Sequence, residues 1–243
     1  MLLFRGLIGG LHVHLTEPKS TLPELKKDFS FSAITPMQAA NSLKELHWFK
    51  QILLGGGEVS GSLLHQLQSI KSEVFLGYGM TETASHIALR RLNVSRAGLD
   101  YLAVADVTFN TDARGCLVLH APHLEIKELV TNDVVDLLDQ TRFIWKGRAD
   151  NVINSGGVKL YPEEVEAKLA SQLTQPFFIG SLPNPKLGQQ LVLFVEGDNA
   201  ALLNLESLPK LMRPKQIIYL KRFVYTKTDK IDRIKTMNLF KSL

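Results

Sequence analysis

Apolar positions open the chain at helical spacing. Leu2, Leu3, Leu7, Ile8, Leu11 and Leu15 recur in one stretch that Glu17-Pro18-Lys19-Ser20 closes as a loop. The spacing predicts the end of a buried helix. From Phe29 the period changes. Phe31 to Thr35 reads as a strand, Pro36 to about Leu46 as a short helix, and Gln51 to Leu54 as a second strand. A helix over Ser60 to Ile70 and a third strand over Val74 to Leu76 follow. Alternation of this kind predicts a parallel sheet covered by helices. Beyond Arg91 the segments are short and β-rich: Tyr101 to Val107, Cys116 to Leu119, Ile126 to Val130, Val134 to Leu138 and Arg142 to Trp145. Turn residues separate them, which predicts a small barrel or antiparallel sheet.

The polar stretch Lys146 to Asn151 marks a domain boundary. After it, Pro162 starts a helix whose first turn holds Glu163 and Glu164, where carboxylates favour the helix dipole. Strands over Phe177 to Ser181 and Leu191 to Glu196 follow, then a short helix around Leu205 to Leu211, a strand at Gln216 to Leu220 and a terminal helix from Ile234. The predicted division is residues 1–149, with an α/β part over 1–90 and a β-rich part over 91–149, and a compact α+β domain over 150–243.

Composition narrows the classes. Of the 243 residues 45% are hydrophobic and 21% charged, which predicts a folded globular protein. The net charge of +4 comes without a clustered Lys/Arg run, so it suits small polyanionic ligands and gives no sign of nucleic acid. The single Cys116 excludes an internal disulfide and a cysteine metal cluster, and its apolar neighbours make it a buried strand residue. The apolar N-terminus has no basic residue before Leu2-Leu3-Phe4, is broken by glycines and lacks a cleavage site. It predicts a cytoplasmic protein with no membrane partner and no span.

Two glycine breaks, Gly55 to Gly57 and Gly77 to Gly79, fall at the carboxyl ends of neighbouring predicted strands, the edge where open α/β sheets bind ligands. Around the second break stand Tyr78, Thr81, Glu82 and Thr83. Hydroxyls can bond phosphate oxygens, a carboxylate can hold Mg²⁺ and an aromatic ring can stack on a base, so the set suits a nucleotide. The same residues also read as a strand-to-helix turn with Thr81 as cap and Glu82 in the first turn.

The string Tyr78-Gly79-Met80-Thr81-Glu82-Thr83 resembles the core signature of the adenylate-forming acyl-CoA synthetase superfamily, and Ala84-Ser85-His86-Ile87-Ala88 resembles its o-succinylbenzoate–CoA ligase branch. Further motifs lie in family order: Gly55-Gly56-Gly57-Glu58 before it, then Thr131-Asn132-Asp133 with Gly147-Arg148-Ala149-Asp150, then Thr226 to Arg233. The resemblance implies a family large domain of parallel α/β sheet plus small β-barrel, here its later part, followed by a mobile C-terminal lid.

It also implies roles. Gly55, Gly56, Gly57 and Glu58 would lie against adenine and the acyl pocket, and Tyr78 would stack on adenine beside Gly79 and Met80. Thr81 and Thr83 would meet phosphate, and Glu82 would hold Mg²⁺. His86, one turn along the same helical face, would meet the substrate carboxylate or make a structural hydrogen bond. Asp133 would grip the ribose, Arg148 would assist at ribose or phosphate, and Asp150 would be the hinge. Gly156 and Gly157 would border the CoA tunnel. Lys230 would enter the site during adenylation, with Lys227 as a weaker alternative. Asn132 and Asp229 stand where the family has glycine.

The implied chemistry joins a small aromatic carboxylate, o-succinylbenzoate, to CoA in menaquinone synthesis, using ATP and Mg²⁺ and passing through an acyl-adenylate. Alternatives are another aryl- or acyl-CoA ligase, or a nucleotide-binding remnant. The family's phosphate loop, ending Gly-x-Pro-Lys, does not occur between Met1 and Tyr78. The expectation is therefore a truncated chain, inactive alone: an expressed fragment or mis-called start, a split enzyme completed by a separately encoded N-terminal segment, or a remnant that binds without catalysing, with retention of Glu82, Asp133, Arg148 and Lys230 favouring the first two.

Overall fold

The computed structural model describes residues 2–57, 59–93, 98–198, 203–226 and 230–241. The chain divides into two compact units: residues 1–113, 117–131 and 136–145 form one, and residues 114–116, 132–135 and 146–243 the other.

The first unit starts with α1 (Leu2–Ile8) and alternates through β1 (Phe29–Ile34), α2 (Pro36–Asn41), β2 (Phe49–Leu54), α3 (Gly61–Leu67) and β3 (Glu73–Gly79). Then come strands alone: β4 (His86–Arg91), β5 (Asp100–Ala103), β6 (Thr108–Thr111), β7 (Cys116–Ala121), β8 (Ile126–Asp139) and β9 (Arg142–Arg148), of which Cys116, residues 132–135 and residues 146–148 belong to the second unit. The strand order is β1-β2-β3-β4-β5-β9-β8-β7-β6. The first three strands run parallel, as two crossover helices require. Ile52, Leu54 and Val74 pack with Leu63 and Leu67 of α3 in the core beneath them. Local chemistry starts each crossover helix. Thr35 and Gln38 form a reciprocal capping box ahead of Pro36, and the Ser60 hydroxyl accepts the Leu63 amide at 3.2 Å.

Several expectations are corrected. The sheet is mixed rather than parallel, because β4 turns back to run antiparallel to β3. Its outer edge then pairs with β5, so the β-rich stretch continues the same sheet instead of starting one of its own. The two strands expected over Ile126 to Leu138 are one strand, β8, whereas Tyr101 to Val107 is broken after Ala103 by a turn in which Ala105 has φ 57°. Helix α2 ends at Asn41, not Leu46, where the Ser42 hydroxyl turns to accept the Leu22 amide at 2.8 Å. Helix α1 stops at Ile8, because Gly9 and the left-handed Gly10 close it and the Leu11 amide bonds the Gly6 carbonyl at 2.8 Å. It is not buried: Leu3, Phe4, Leu7 and Ile8 are all exposed.

The second unit contains β10 (Ile153–Ser155), β11 (Val158–Leu160), α4 (Pro162–Leu169), β12 (Phe177–Asn184), β13 (Gly188–Glu196), β14 (Gln216–Leu220) and α5 (Arg233–Lys241). Strand β13 is central, antiparallel to β12 and β10 and parallel to β14. Its alternate residues feed two cores. Leu191, Leu193 and Val195 pack with Val165 and Leu169 of α4, and Val192 and Phe194 pack with Met237 and Phe240 of α5. The helix expected over Leu205 to Leu211 is two 3₁₀ turns, Leu205–Ser207 and Lys210–Met212, with Pro209 between them. Among the described residues no helix is long and apolar enough to cross a membrane.

Candidate active site

In the first unit the carboxyl ends of β1, β2 and β3 open into a cleft of about 440 Å³. Ala33, Ile34 and Thr35 line it from β1, Leu53 to Gly56 from β2, and Gly77, Gly79 and Met80 from β3. Both glycine breaks thus meet at one site. The Gly55 amide bonds the Ile34 carbonyl at 3.2 Å, which fixes the first turn across two strand ends. The second glycine break serves a tighter purpose. A Cβ on Gly79 would lie 2.2 Å from the Ser85 carbonyl oxygen, so the β3–β4 reversal closes only around a residue without one.

That reversal departs from the helical reading. Thr81–Thr83 is a single 3₁₀ turn, and Ala84 follows with φ 54°. The buried Thr83 accepts the Met80 amide at 3.0 Å, and its hydroxyl lies 2.8 Å from the Ser85 carbonyl. Its oxygen therefore braces the turn instead of facing a phosphate. His86 does not lie on a helix; it opens β4 opposite Gly79, and this pairing puts its ring on the cleft. Thr81 and Glu82 are exposed on the turn. No group of three or more His, Cys, Asp or Glu is gathered among the described residues. A Mg²⁺ carried on phosphate oxygens needs only one or two carboxylates, which Glu82 can supply.

Tyr78 stands apart from the cleft lining. Its side chain alternates to the other face of β3, with ring centroids 5.7 Å from Tyr101 and 5.2 Å from Phe143 in an aromatic cluster. Gly57 is exposed next to the first turn, and Glu58 lies outside the described residues.

One contributor escaped sequence reasoning. Arg5 of α1 donates to the Ser85 hydroxyl at 2.6 Å and lies 3.4 Å from His86 Nδ1. Burial, and then the Arg5 charge, hold the His86 imidazole below its ordinary pKa. The signal available was a lone cation in an otherwise apolar helix; its partners lie 80 residues away.

The second unit holds the other candidates. Asp133 is buried on β8, and Arg148, at the end of β9, faces it at 3.5 Å and Asp150 at 3.7 Å. Asn132 joins them: its amide donates to Asp150 Oδ2 at 3.1 Å and its carbonyl accepts from Arg114 at 3.2 Å. Gly156 and Gly157, at φ 59° and 81°, form the two-residue turn between β10 and β11. Lys230 is exposed, and its main chain pairs with Thr226. Lys227 and Asp229 lie outside the described residues.

The sequence matches no protein-family model. Among curated proteins it is 28% identical, over an alignment of 275 residues, to 2-succinylbenzoate–CoA ligase of Listeria monocytogenes, covering 96% of this chain and 57% of that protein. The enzyme of that name from Oceanobacillus iheyensis is 29% identical over 200 residues, with 70% and 42% covered. The chain thus spans about half the length of the curated relatives it matches. In fold it is similar to o-succinylbenzoate coenzyme A synthetase of Bacillus subtilis in complex with ATP and magnesium ion, with a TM-score of 0.70, 20% identity, and 86% of this chain and 51% of that one covered. The acyl-CoA synthetase (AMP-forming)/AMP-acid ligase II-like protein of Dyadobacter fermentans has a TM-score of 0.52 and covers 92% of this chain. Because this chain is 34% identical to that synthetase and covers 69% of it, it belongs to the adenylate-forming acyl-CoA ligase superfamily.

Proposed function

We propose that the chain carries the later part of a cytoplasmic ligase that activates o-succinylbenzoate with ATP and transfers the acyl group to CoA. The observation that carries this reading is the wall of the cleft. Arg5, Ser85 and His86 set a cation and polar groups at one side of a cleft whose other lining is Thr35 and Gln38 together with apolar side chains and glycine backbone. A substrate with an aromatic ring and two carboxylates fits that chemistry: one carboxylate pairs with the guanidinium while the other reacts. The Listeria and Oceanobacillus relatives carry the matching name.

In the first step a carboxylate oxygen attacks the α-phosphorus of ATP, and pyrophosphate leaves. Lys230 places a compact cation where charge develops on the transferring phosphate. Mg²⁺, when bound, would neutralise phosphate charge, and Glu82 is the residue to hold it. Asp133 accepts from the ribose hydroxyls, and Arg148 keeps that carboxylate oriented. Residues 150–243 then swing about Asp150, Lys230 withdraws, and the Gly156-Gly157 turn borders the path of CoA. The CoA sulfur attacks the acyl carbonyl, its proton passes to solvent, and AMP leaves. The part of the relatives that this chain does not span would supply the phosphate loop, and for the test it is expressed as a separate polypeptide.

The test is thioester formation, read by mass spectrometry, from ATP, CoA and a panel of carboxylates, with the chain alone and with that polypeptide added. The reading predicts o-succinylbenzoyl-CoA as the preferred product, and Arg5→Gln should raise KM for this substrate more than for benzoate. Preference for a monocarboxylate would reassign the substrate. AMP binding with no product under any condition would leave a nucleotide-binding module.

A further inference from the structure

A charge cluster in the second unit is built from residues given no catalytic or binding role above. Glu166 of α4 receives Arg233 through two parallel bonds, Nη1 to Oε1 and Nη2 to Oε2, both 2.8 Å. The same Oε1 accepts the Ile179 amide at 2.7 Å, which ties the pair to β12. Arg233 also lies over the Phe178 ring, 5.8 Å from its centroid. A second carboxylate, Glu163, is 3.8 Å from Arg233 Nη1 and accepts from the Asn151 amide. Both glutamates are buried. Glu163 packs against Gly147: a Cβ there would come within 2.3 Å of its Oε2 and would displace the carboxylate from this position.

The residues joined in this way sit where the proposed chemistry needs order. Asn151 follows Asp150. Arg233 begins α5, three residues beyond Lys230, and Asp232 caps that helix by accepting the Lys235 amide at 3.0 Å. Two main-chain bonds hold the approach to Lys230: Asp232 N to Val224 O and Thr226 N to Lys230 O, each 2.8 Å. The Thr226 hydroxyl accepts the Lys230 amide at 3.2 Å, and Tyr225 bridges Ile231. Residues 224–226 and 230–232 therefore pair as the two arms of a short hairpin, with Lys230 on the second arm and Arg233 at its base.

We propose that Arg233 is a positioning residue for Lys230: gripped by Glu166, it fixes the base of the hairpin that presents the lysine, and through Glu163 and Asn151 it ties that hairpin to the Asp150 turn. The inference rests on the reading of Lys230 as the adenylating lysine. A bidentate, charge-assisted pair suits this task because two parallel bonds set an angle as well as a distance, which a single lysine contact cannot do.

The test is NMR-detected hydrogen exchange of the Thr226, Lys230 and Asp232 amides in the full chain. In Arg233→Lys these three should exchange about tenfold faster or more, the effect of losing one charge-assisted bond, while β12 and β13 amides stay within about twofold. Glu166→Gln should act in the same direction. Ethylguanidinium should restore slow exchange in Arg233→Ala. With the polypeptide carrying the relatives' phosphate loop added, pyrophosphate release by Arg233→Lys should fall in kcat, with KM for ATP within about twofold. Unchanged exchange at the three amides, or equal acceleration across the core strands, would overturn the inference. If Lys230→Ala releases pyrophosphate as fast as the parent, the adenylation reading fails, and the exchange rates still decide whether Arg233 sets the hairpin.

Discussion

Replacing Gly79 by alanine tests the geometry of the cleft most sharply. The added methyl would stand 2.2 Å from the Ser85 carbonyl oxygen, 2.7 Å from His86 Cα and 2.8 Å from the Ser85 carbonyl carbon. All three are main-chain atoms of the β3–β4 reversal, so no side-chain rotation relieves the contact. Strands β3 and β4 would have to part by about 1 Å at the Gly79–His86 pair, and overpacking of this kind costs about 3 kcal/mol. Gly55 is the control. A Cβ there meets nothing within 4 Å, and its φ lies outside the left-handed range, so Gly55→Ala should change stability by less than about 1 kcal/mol. Urea unfolding separates the two. With a slope of about 2 kcal/mol/M, Gly79→Ala should lower the midpoint by about 1.5 M at constant slope, and Gly55→Ala should barely move it. Equal midpoints for the two variants would refute the close approach that shapes this wall.

Other consequences can be measured independently. Burial and Arg5 depress the His86 pKa, so the folded state takes up that proton less readily than the unfolded chain. The associated stability is complete above the ordinary imidazole value of about 6.5 and is lost as pH falls toward the folded pKa. Arg5→Gln should raise the His86 pKa in an NMR titration, and an unchanged curve would show that the guanidinium does not act on the ring. Thr35→Ala removes half of the capping box of α2 and should cost about 1 kcal/mol in the same urea assay. Asn132→Gly removes the bonds to Asp150 and Arg114; both are exposed, so stability should fall by no more than about 1 kcal/mol. A loss several times larger would mean that Asn132 holds more than these two side chains.

Much of the first unit was legible because backbone rules wrote it. Two helices between three apolar strands leave a parallel pairing as the economical topology, and glycines at strand ends mark the open edge. The reversal after Met80 was not legible. Thr81 and Glu82 satisfy a helix start as well as a 3₁₀ turn, and what decides is the Thr83 hydroxyl bracing the turn together with Ala84 in a left-handed conformation. This one turn changes the strand direction and moves His86 from a helix face to a strand opening. The place of Tyr78 follows from strand alternation, which carries its ring to Tyr101 and Phe143. Arg5 was hidden for a different reason. Its partners Ser85 and His86 belong to another element, and a single cation in an apolar stretch has no period to betray it. In the second unit, Asn132 could be read only as a departure from glycine. The fold shows where its amide goes, onto the Asp150 carboxylate.

The account stands or falls on adenylation. Pyrophosphate release from ATP and Mg²⁺ should be followed with and without o-succinylbenzoate, in the parent chain and in Lys230→Ala, each alone and with a polypeptide carrying the relatives' phosphate loop. The account predicts release that requires the carboxylate and falls about a hundredfold or more in Lys230→Ala. Release that ignores the carboxylate, or that Lys230→Ala leaves untouched, would contradict it.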